Sequence, residues 1–492
     1  MLTKLFLLNV SLLLSISSFS QDVNLYKAST IPEELKVNAN AVVRLNDVQV
    51  IIDSQDKVVF NTRRIITVLN ELGNSYISAY AGYDKTRKIK KIQAIIFDEG
   101  GNEIKKIKKG DFIDHSAVDG GTLYTDSRVL YMSYIPIQYP YTVEFICESE
   151  SMNTAVIPSW NPIEGYFIGV ETSVYTLTDN ANLGVRYKER NFNEFVGEST
   201  KSNTNFRYSL KNSNAVKPED LGPSFKAFAP SVMFATNKFH YAGVDGEAAN
   251  WREFGDWMYN ALLAGRDQVS QKTKDQIIAL TAGVDNPIER AKLVYDFVQN
   301  NTRYISVQVG IGGIQPIEAA EVDQLKYGDC KGLTNYTQAL LKIANVDSYY
   351  TIVQSGREQE DFDEDFASLA QGNHIILGIP DGQNTVWLDC TSQYSPFGFI
   401  GDFTDDRNVL QIKPNESSIL KTTSYTNDAN SQYTEASASI SADALMQADV
   451  TILTTGIQYD NRSFIERESN ENLILYYKKY WEHINNLNVD TY

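Results

Sequence analysis

The sequence predicts a multidomain protein: an N-terminal all-β sandwich, then an α+β domain, then a partial C-terminal β region. Three observations predict it. Between Ala41 and Phe206, short runs alternate apolar and polar residues and stop at turn residues. From Trp251 to Asn345 the apolar residues recur at helical spacing instead. After Phe397 strand character returns, through Val409–Ile412 and Ala438–Thr455.

With 492 residues, 42% of them hydrophobic and 22% charged, the chain has material for about two or three cores. A net charge of −18 argues against nucleic acid and anionic lipid as partners, because both require a positive surface. Lys4, the apolar run Leu5–Ile16 and the small residues of Ser18-Phe19-Ser20 read as a signal peptide over residues 1–20, cleaved before Gln21. The expected location is therefore exported, periplasmic or secreted. The run is short and broken by Ser, no Cys follows it to carry a lipid, and no later segment is long and apolar enough to span a bilayer. No transmembrane anchor is expected after cleavage.

Residues 21–211 form the expected sandwich. Val48–Ile52, Val58–Phe60, Arg64–Leu69, Ile92–Phe97, Thr142–Ile146 and Val174–Leu177 are its strand candidates, with Asp98–Asn102 as a turn. Lys85–Lys91 reads as a strand with a solvated face ahead of a polyanion site. Pro218, Gly222, Pro223 and Pro230 mark a linker, taken as 212–245. In the next domain, 246–405, Trp251–Leu263 and Thr273–Thr281 read as helices. Asn286 caps a third, which has Pro287 at its first position and the stripe Ala291, Val294, Tyr295, Phe297 and Val298. A short strand, Tyr304–Val309, and the loop Gly310–Pro316 lead to Lys326–Leu333.

That last stretch carries the chemistry. Gly328 permits a turn and Asp329 is a good N-cap. Leu333, Tyr336, Leu340, Ile343 and Ala344 then follow at helical spacing, so Cys330 opens an amphipathic helix. A thiol there feels the positive end of the helix dipole, which favours thiolate; Lys331 adds to this and Asp329 opposes it. A nucleophilic Cys needs a base, and the base needs a group to orient it. His374 starts the run Ile375–Ile379, Pro380–Gln383 makes a turn, and Thr385–Asp389 returns as a second strand. Antiparallel pairing across that turn would set Asp389 beside His374.

Tyr327-Gly328-Asp329-Cys330-Lys331, Gly372-Asn373-His374-Ile375 and Trp387-Leu388-Asp389, in that order, resemble the transglutaminase-like superfamily over residues 285–400. The resemblance implies a papain-like α+β fold in which Cys330 is nucleophile, His374 its base and Asp389 the orienting acid. It further implies an acyl-enzyme on a peptide or amide substrate. Gln324, six residues before Cys330, matches the papain-type oxyanion Gln in offset, with a solvated loop residue as the equal alternative. Two positions depart from bacterial relatives: Gly332 stands where they carry an acid, and Cys390 where they carry Pro. The β-rich region ahead resembles the uncharacterised domain that precedes such domains in exported bacterial proteins. Hydrolysis is expected ahead of cross-linking, on a protein or peptide substrate such as a cell-envelope one. The alternative is a catalytically silent envelope scaffold or binding protein.

The other sites are weaker. His115, His240 and His483 have no comparable context, and no cofactor or metal is expected. The acidic run Arg357–Phe366 reads as a solvated loop; it lacks the spacing of a calcium loop. Three cysteines are too few for a disulfide framework, and Cys147 reads as a packed apolar side chain, with a Cys147–Cys390 bridge as the lesser alternative. Residues 406–492 are the partial β-rich region, with a helix at Glu466–Trp481. Asn486–Tyr492 reads as the start of a further strand, and the chain as a candidate truncation product.

Overall fold

The computed structural model describes residues 23–118, 122–192 and 197–490; the expected signal peptide, 1–20, lies outside them. The chain is multidomain and strongly β-rich. Its largest sheet has eight strands: β1 (Ala41–Ser54), β2 (Lys57–Val68), β3 (Arg87–Phe97), β4 (Glu103–Lys108), β5 (Tyr141–Ser151), β6 (Ile168–Asp179), β7 (Gly197–Lys201) and β8 (Asn205–Ser213). Their order across the sheet is β7-β8-β6-β1-β2-β5-β3-β4. β1 runs antiparallel to β2, with Ser54 opposite Lys57 across a tight turn, and parallel to β6. The alternation read from sequence is visible in burial: Val50 and Ile52 are fully buried while Gln49 and Asp53 are exposed. Each such Val or Ile stabilises the sheet by about 1.5–3 kcal/mol.

The layers opposite this sheet are small. One has three strands, Tyr80–Tyr83, Arg128–Tyr131 and Ile113–Ser116; another pairs Val185–Arg190 with Ser231–Thr236. The second pair corrects the expected linker, whose latter part is core: Val232 and Phe234 are buried, and Phe234 stacks on Tyr175 with centroids 5.0 Å apart. The turn residues that suggested a linker end at Pro230, and strand alternation resumes after it.

The region that follows holds α1 (Trp251–Met258), α2 (Gln271–Thr281), α3 (Pro287–Asn301), α4 (Ala319–Leu325) and α5 (Cys330–Ile343). It also holds a five-stranded sheet of β9 (Tyr349–Val353), β10 (His374–Asp381), β11 (Asn384–Leu388), β12 (Asn408–Gln411) and β13 (Ser418–Lys421), in the order β11-β10-β9-β12-β13. β12 and β13 lie past the expected boundary at 405, so that boundary would cut a continuous sheet. Buried Arg407 ties the crossing together by donating to the carbonyl oxygens of Gln354, Gly356, Asp402 and Asp405.

The acidic run is corrected as well. Asp363, 7% exposed, receives Lys188 Nζ at 2.6 Å and Arg190 Nη2 at 2.8 Å, and Phe362 and Phe366 are buried beside it. Part of the carboxylate density thus clamps the run to the N-terminal β region. A second tie is a parallel pairing of Thr122–Thr125 with Ser306–Gln308. Near the C-terminus, Gln432–Ile440 and Met446–Thr454 make a hairpin that pairs only with itself among the described residues. No helix among the described residues is long and apolar enough to cross a membrane.

Candidate active site

The approach to Cys330 is built by local backbone chemistry. Lys326 ends α4 in the left-handed conformation (φ 58°), which turns the chain into Tyr327-Gly328. Those two residues pair in parallel with Arg303-Tyr304. Gly328 fits because a Cβ would come within 3.3 Å of both Leu333 N and Val322 Cγ2. Asp329 then caps α5, its Oδ1 accepting from Gly332 N at 2.9 Å. Cys330 is the first helical residue, so its N–H has no intrahelical acceptor. The departure at Gly332 has a steric reason: a Cβ there would lie 2.7 Å from Ile317 Cγ1.

A buried acid supports this turn from behind. Asp323, 7% exposed, accepts from Thr273 Oγ1 at 2.7 Å, Ser270 N at 3.1 Å, Tyr336 Oη at 3.1 Å and Lys326 Nζ at 2.9 Å. It therefore links α2, α4 and α5. Burial disfavours its charge, but these donors outweigh that and hold the carboxyl far below the usual range.

β10 and β11 pair antiparallel, from Asp381 opposite Asn384 to Leu377 opposite Leu388. The return brings Asp389 back to His374: Nε2 donates to Asp389 Oδ2 at 3.0 Å. Asp389 Oδ1 accepts from Thr391 N at 2.9 Å and Thr391 Oγ1 at 2.6 Å, and Tyr295 Oη donates to the Asp389 carbonyl at 2.9 Å. Phe403 meets the His374 ring edge-on at 5.8 Å. The imidazole also lies close enough to Cys330 to interact with it; with Nε2 committed to Asp389, Nδ1 is the nitrogen left to face the sulfur.

The electrostatics follow from these contacts. Burial works against a charged imidazole, yet Asp389 and then Cys330 outweigh it and push His374 up to about 10. Asp389 stays below its ordinary value despite burial, because His374 and Thr391 stabilise its charge. Lys331 is buried and pairs with Asp329 Oδ2 at 2.5 Å; burial opposes its charge, and Cys330 and Asp329 raise it. Cys330 is only 5% exposed. The other thiols sit differently: burial pushes Cys390 up to about 12 and raises Cys147. All three cysteines are free, so the alternative Cys147–Cys390 bridge is not formed.

The structure thus brings Cys330, His374 and Asp389 together. Gln324 is exposed on α4, whose inward side carries Ala319, Val322 and Asp323. Sequence reasoning missed Thr391, for which Asp389-x-Thr391 was an available Asx-turn signal. It also missed the mutual pairing of Asp329 and Lys331. Of the remaining histidines, His240 bonds Asp245 at 2.8 Å on a separate hairpin, Lys238–Tyr241 with Val244–Glu247. No cluster of three or more His, Cys, Asp or Glu suited to a metal occurs among the described residues.

Comparisons with known proteins bear on fold rather than activity. No curated protein matches the chain. A domain of unknown function with solved structure, DUF3857, matches residues 54–217. A structure from Parabacteroides distasonis named "putative protease" is 14% identical, with a TM-score of 0.56 over 78% of this chain and 72% of that one. A "putative cysteine protease" from Cytophaga hutchinsonii is 10% identical over 76% of this chain and 93% of that one, but its TM-score is 0.21. An M1 zinc metallopeptidase from Deinococcus radiodurans is 9% identical over 49% of this chain and 53% of that one, with a TM-score of 0.20. Scores near 0.2 are too low to carry a likeness. The chain therefore contains a match to DUF3857 and shares an overall fold with the Parabacteroides distasonis protein.

Proposed function

We propose that this chain is an exported, transglutaminase-like thiol enzyme acting on peptide or amide bonds, with hydrolysis ahead of cross-linking. The observation that carries the reading is His374, bonded at 3.0 Å to Asp389 and beside Cys330 at the head of α5. The name of the Parabacteroides distasonis protein, "putative protease", agrees with a peptidase-like role. The Leu5–Ile16 run supports export.

In this mechanism His374 takes the Cys330 proton and Sγ attacks the carbonyl carbon. The Cys330 backbone N–H stabilises the oxyanion. The C–N bond breaks, His374 protonates the leaving amine, and a thioester remains on Cys330. Water, deprotonated by His374, attacks the thioester; the acid leaves and the thiol regains its proton. An amine in place of water would give transfer by the same steps. Asp389 keeps the imidazole oriented throughout.

The test is mass spectrometry of the mature protein after brief exposure to iodoacetamide, alongside Cys330→Ser and His374→Ala. Rapid single labelling at Cys330 that depends on His374 is expected. Slow labelling that does not depend on His374 would overturn the reading and favour the silent scaffold or binding protein.

A further inference from the structure

Cys330 is only 5% exposed, yet the proposed chemistry needs a substrate carbonyl against its sulfur. Some wall of the site must move to admit it. The thiol belongs to an apolar cluster that includes Met258 from α1, Ile352 from β9, Ile375 from β10, Leu410 from β12 and Phe362 from the acidic run. α1 is helical, β9, β10 and β12 are laddered together, and the acidic run is clamped through Asp363 by Lys188 and Arg190. The hairpin that packs Tyr241 on the cluster is fixed by Ala242 N, which donates to Asn153 Oδ1 at 2.8 Å. One wall is held differently. Ile311 and Ile314, both partly buried, pack on the same cluster from the loop Gly310–Pro316. The backbone bonds of that turn are local: Gly312 N to Val309 O at 3.0 Å, Ile314 N to Ile311 O at 3.0 Å and Gln315 N to Ile311 O at 2.9 Å.

We propose that Gly310–Ile314 is a lid on the Cys330 site, which opens by lifting Ile311 and Ile314 off the apolar cluster so that substrate reaches the sulfur. The proposal rests on the thiol-enzyme reading above. Both ends of the lid are anchored. Ser306–Gln308 pairs with Thr122–Thr125 on one side, and on the other Arg266 donates to Gln315 Oε1 at 3.0 Å and to the Pro316 carbonyl at 3.2 Å. Between the anchors the chain is free to bend. Gly310 takes a φ of 54°, and a Cβ on Gly312 would meet no atom within 4 Å. Neither packing nor a left-handed φ demands glycine at 312, so what it supplies is backbone freedom. There is also room for the motion. A cavity of about 120 Å³ borders the turn, lined by Gly310, Gly313 and Tyr241 and, from the N-terminal β region, by Asp84, Asp126 and Asn153. Loops of this kind open in microseconds to milliseconds, faster than alkylation, so the labelling rate reports the fraction of time the lid is open.

The experiment is the rate of Cys330 alkylation by iodoacetamide in the full mature chain, comparing wild type with Gly312→Ala and Ile311→Ala at one pH, with Tm as the fold control. Gly312→Ala adds a methyl group to open space and restricts the open loop more than the closed one. Labelling is expected to slow about two- to fivefold while Tm holds or rises. Ile311→Ala weakens the closed state instead, and labelling is expected to speed about tenfold or more. An unchanged rate in either variant, or a change in the opposite direction, would overturn the proposal. If Ile311→Ala does not fold, Gly312→Ala decides alone, and a wild-type rate there overturns it. The lid is read as a ratio to wild type with His374 intact, whereas labelling that ignores His374 sinks the enzyme reading itself, so the two failures are distinguishable.

Discussion

Replacing Asp389 by Asn tests the centre of the proposed mechanism with little disturbance to the fold. Asn keeps an oxygen for the Thr391 N–H and hydroxyl, which hold Asp389 Oδ1 at 2.9 Å and 2.6 Å. What changes is the atom facing His374 Nε2 across 3.0 Å. A carboxylate there accepts a proton and favours imidazolium; an amide N–H₂ donates, forcing Nε2 bare and the proton onto Nδ1, toward Cys330. The base then cannot take the thiol proton. A hydrogen bond to a charged group contributes about 1.5–3 kcal/mol, and at about 1.4 kcal/mol per factor of ten its loss slows alkylation about 10- to 150-fold. The side chains are 11% and 17% exposed, so solvent screens the pair only slightly. The assay is the second-order rate of iodoacetamide labelling at mildly acidic pH, with circular dichroism as the fold control. A folded Asp389→Asn protein that reacts within about twofold of wild type, against the loss expected from that bond, would refute the reasoning.

Other outcomes follow from the same geometry. Asp323→Ala removes the acceptor shared by Thr273, Ser270, Tyr336 and Lys326, and should lower stability by about 3–5 kcal/mol in urea unfolding. Gly332→Asp should cost about 1–3 kcal/mol by pushing on Ile317, and Ile317→Ala in the same chain should recover part of it; denaturant midpoints check this. His374 is raised from 6.5 to about 10, so the stability it contributes is fully present below about 6.5 and lost as pH rises through about 10. The stability difference between wild type and His374→Ala, measured by unfolding across that window, should therefore shrink with rising pH. Cys390, buried and pushed up to about 12, should stay unlabelled in the native protein and react only after unfolding, as peptide mapping would show.

The elements legible from sequence were those with strong periodicity or cap chemistry. Asn286 caps α3 through Ile288 N and Glu289 N, and Asp329 caps α5. The hairpin register that meets His374 with Asp389 was also readable, because Pro380–Gln383 sets the turn and alternation does the rest. What stayed hidden depends on partners far along the chain. Nothing in Arg357–Phe366 tells that Asp363 meets Lys188 and Arg190. Strand Ser231–Thr236 looked like linker because its partner, Val185–Arg190, lies far upstream. Gln324 fitted an offset, but an offset does not say which face of a helix a residue occupies.

The position of β1 bears on how this protein can be divided. β1 lies inside the eight-stranded sheet, between β2 and β6, and residues 41–53 precede the segment 54–217 that matches DUF3857. A fragment cut at those limits would lose an interior strand and expose the backbone edges of β2 and β6, which are templates for aggregation. It would also lose Ser231–Thr236, whose Val232 and Phe234 fill the same core. The smallest autonomous folding unit here is consequently longer at both ends than the matched segment, and expression trials should begin before Ala41 and end after Thr236.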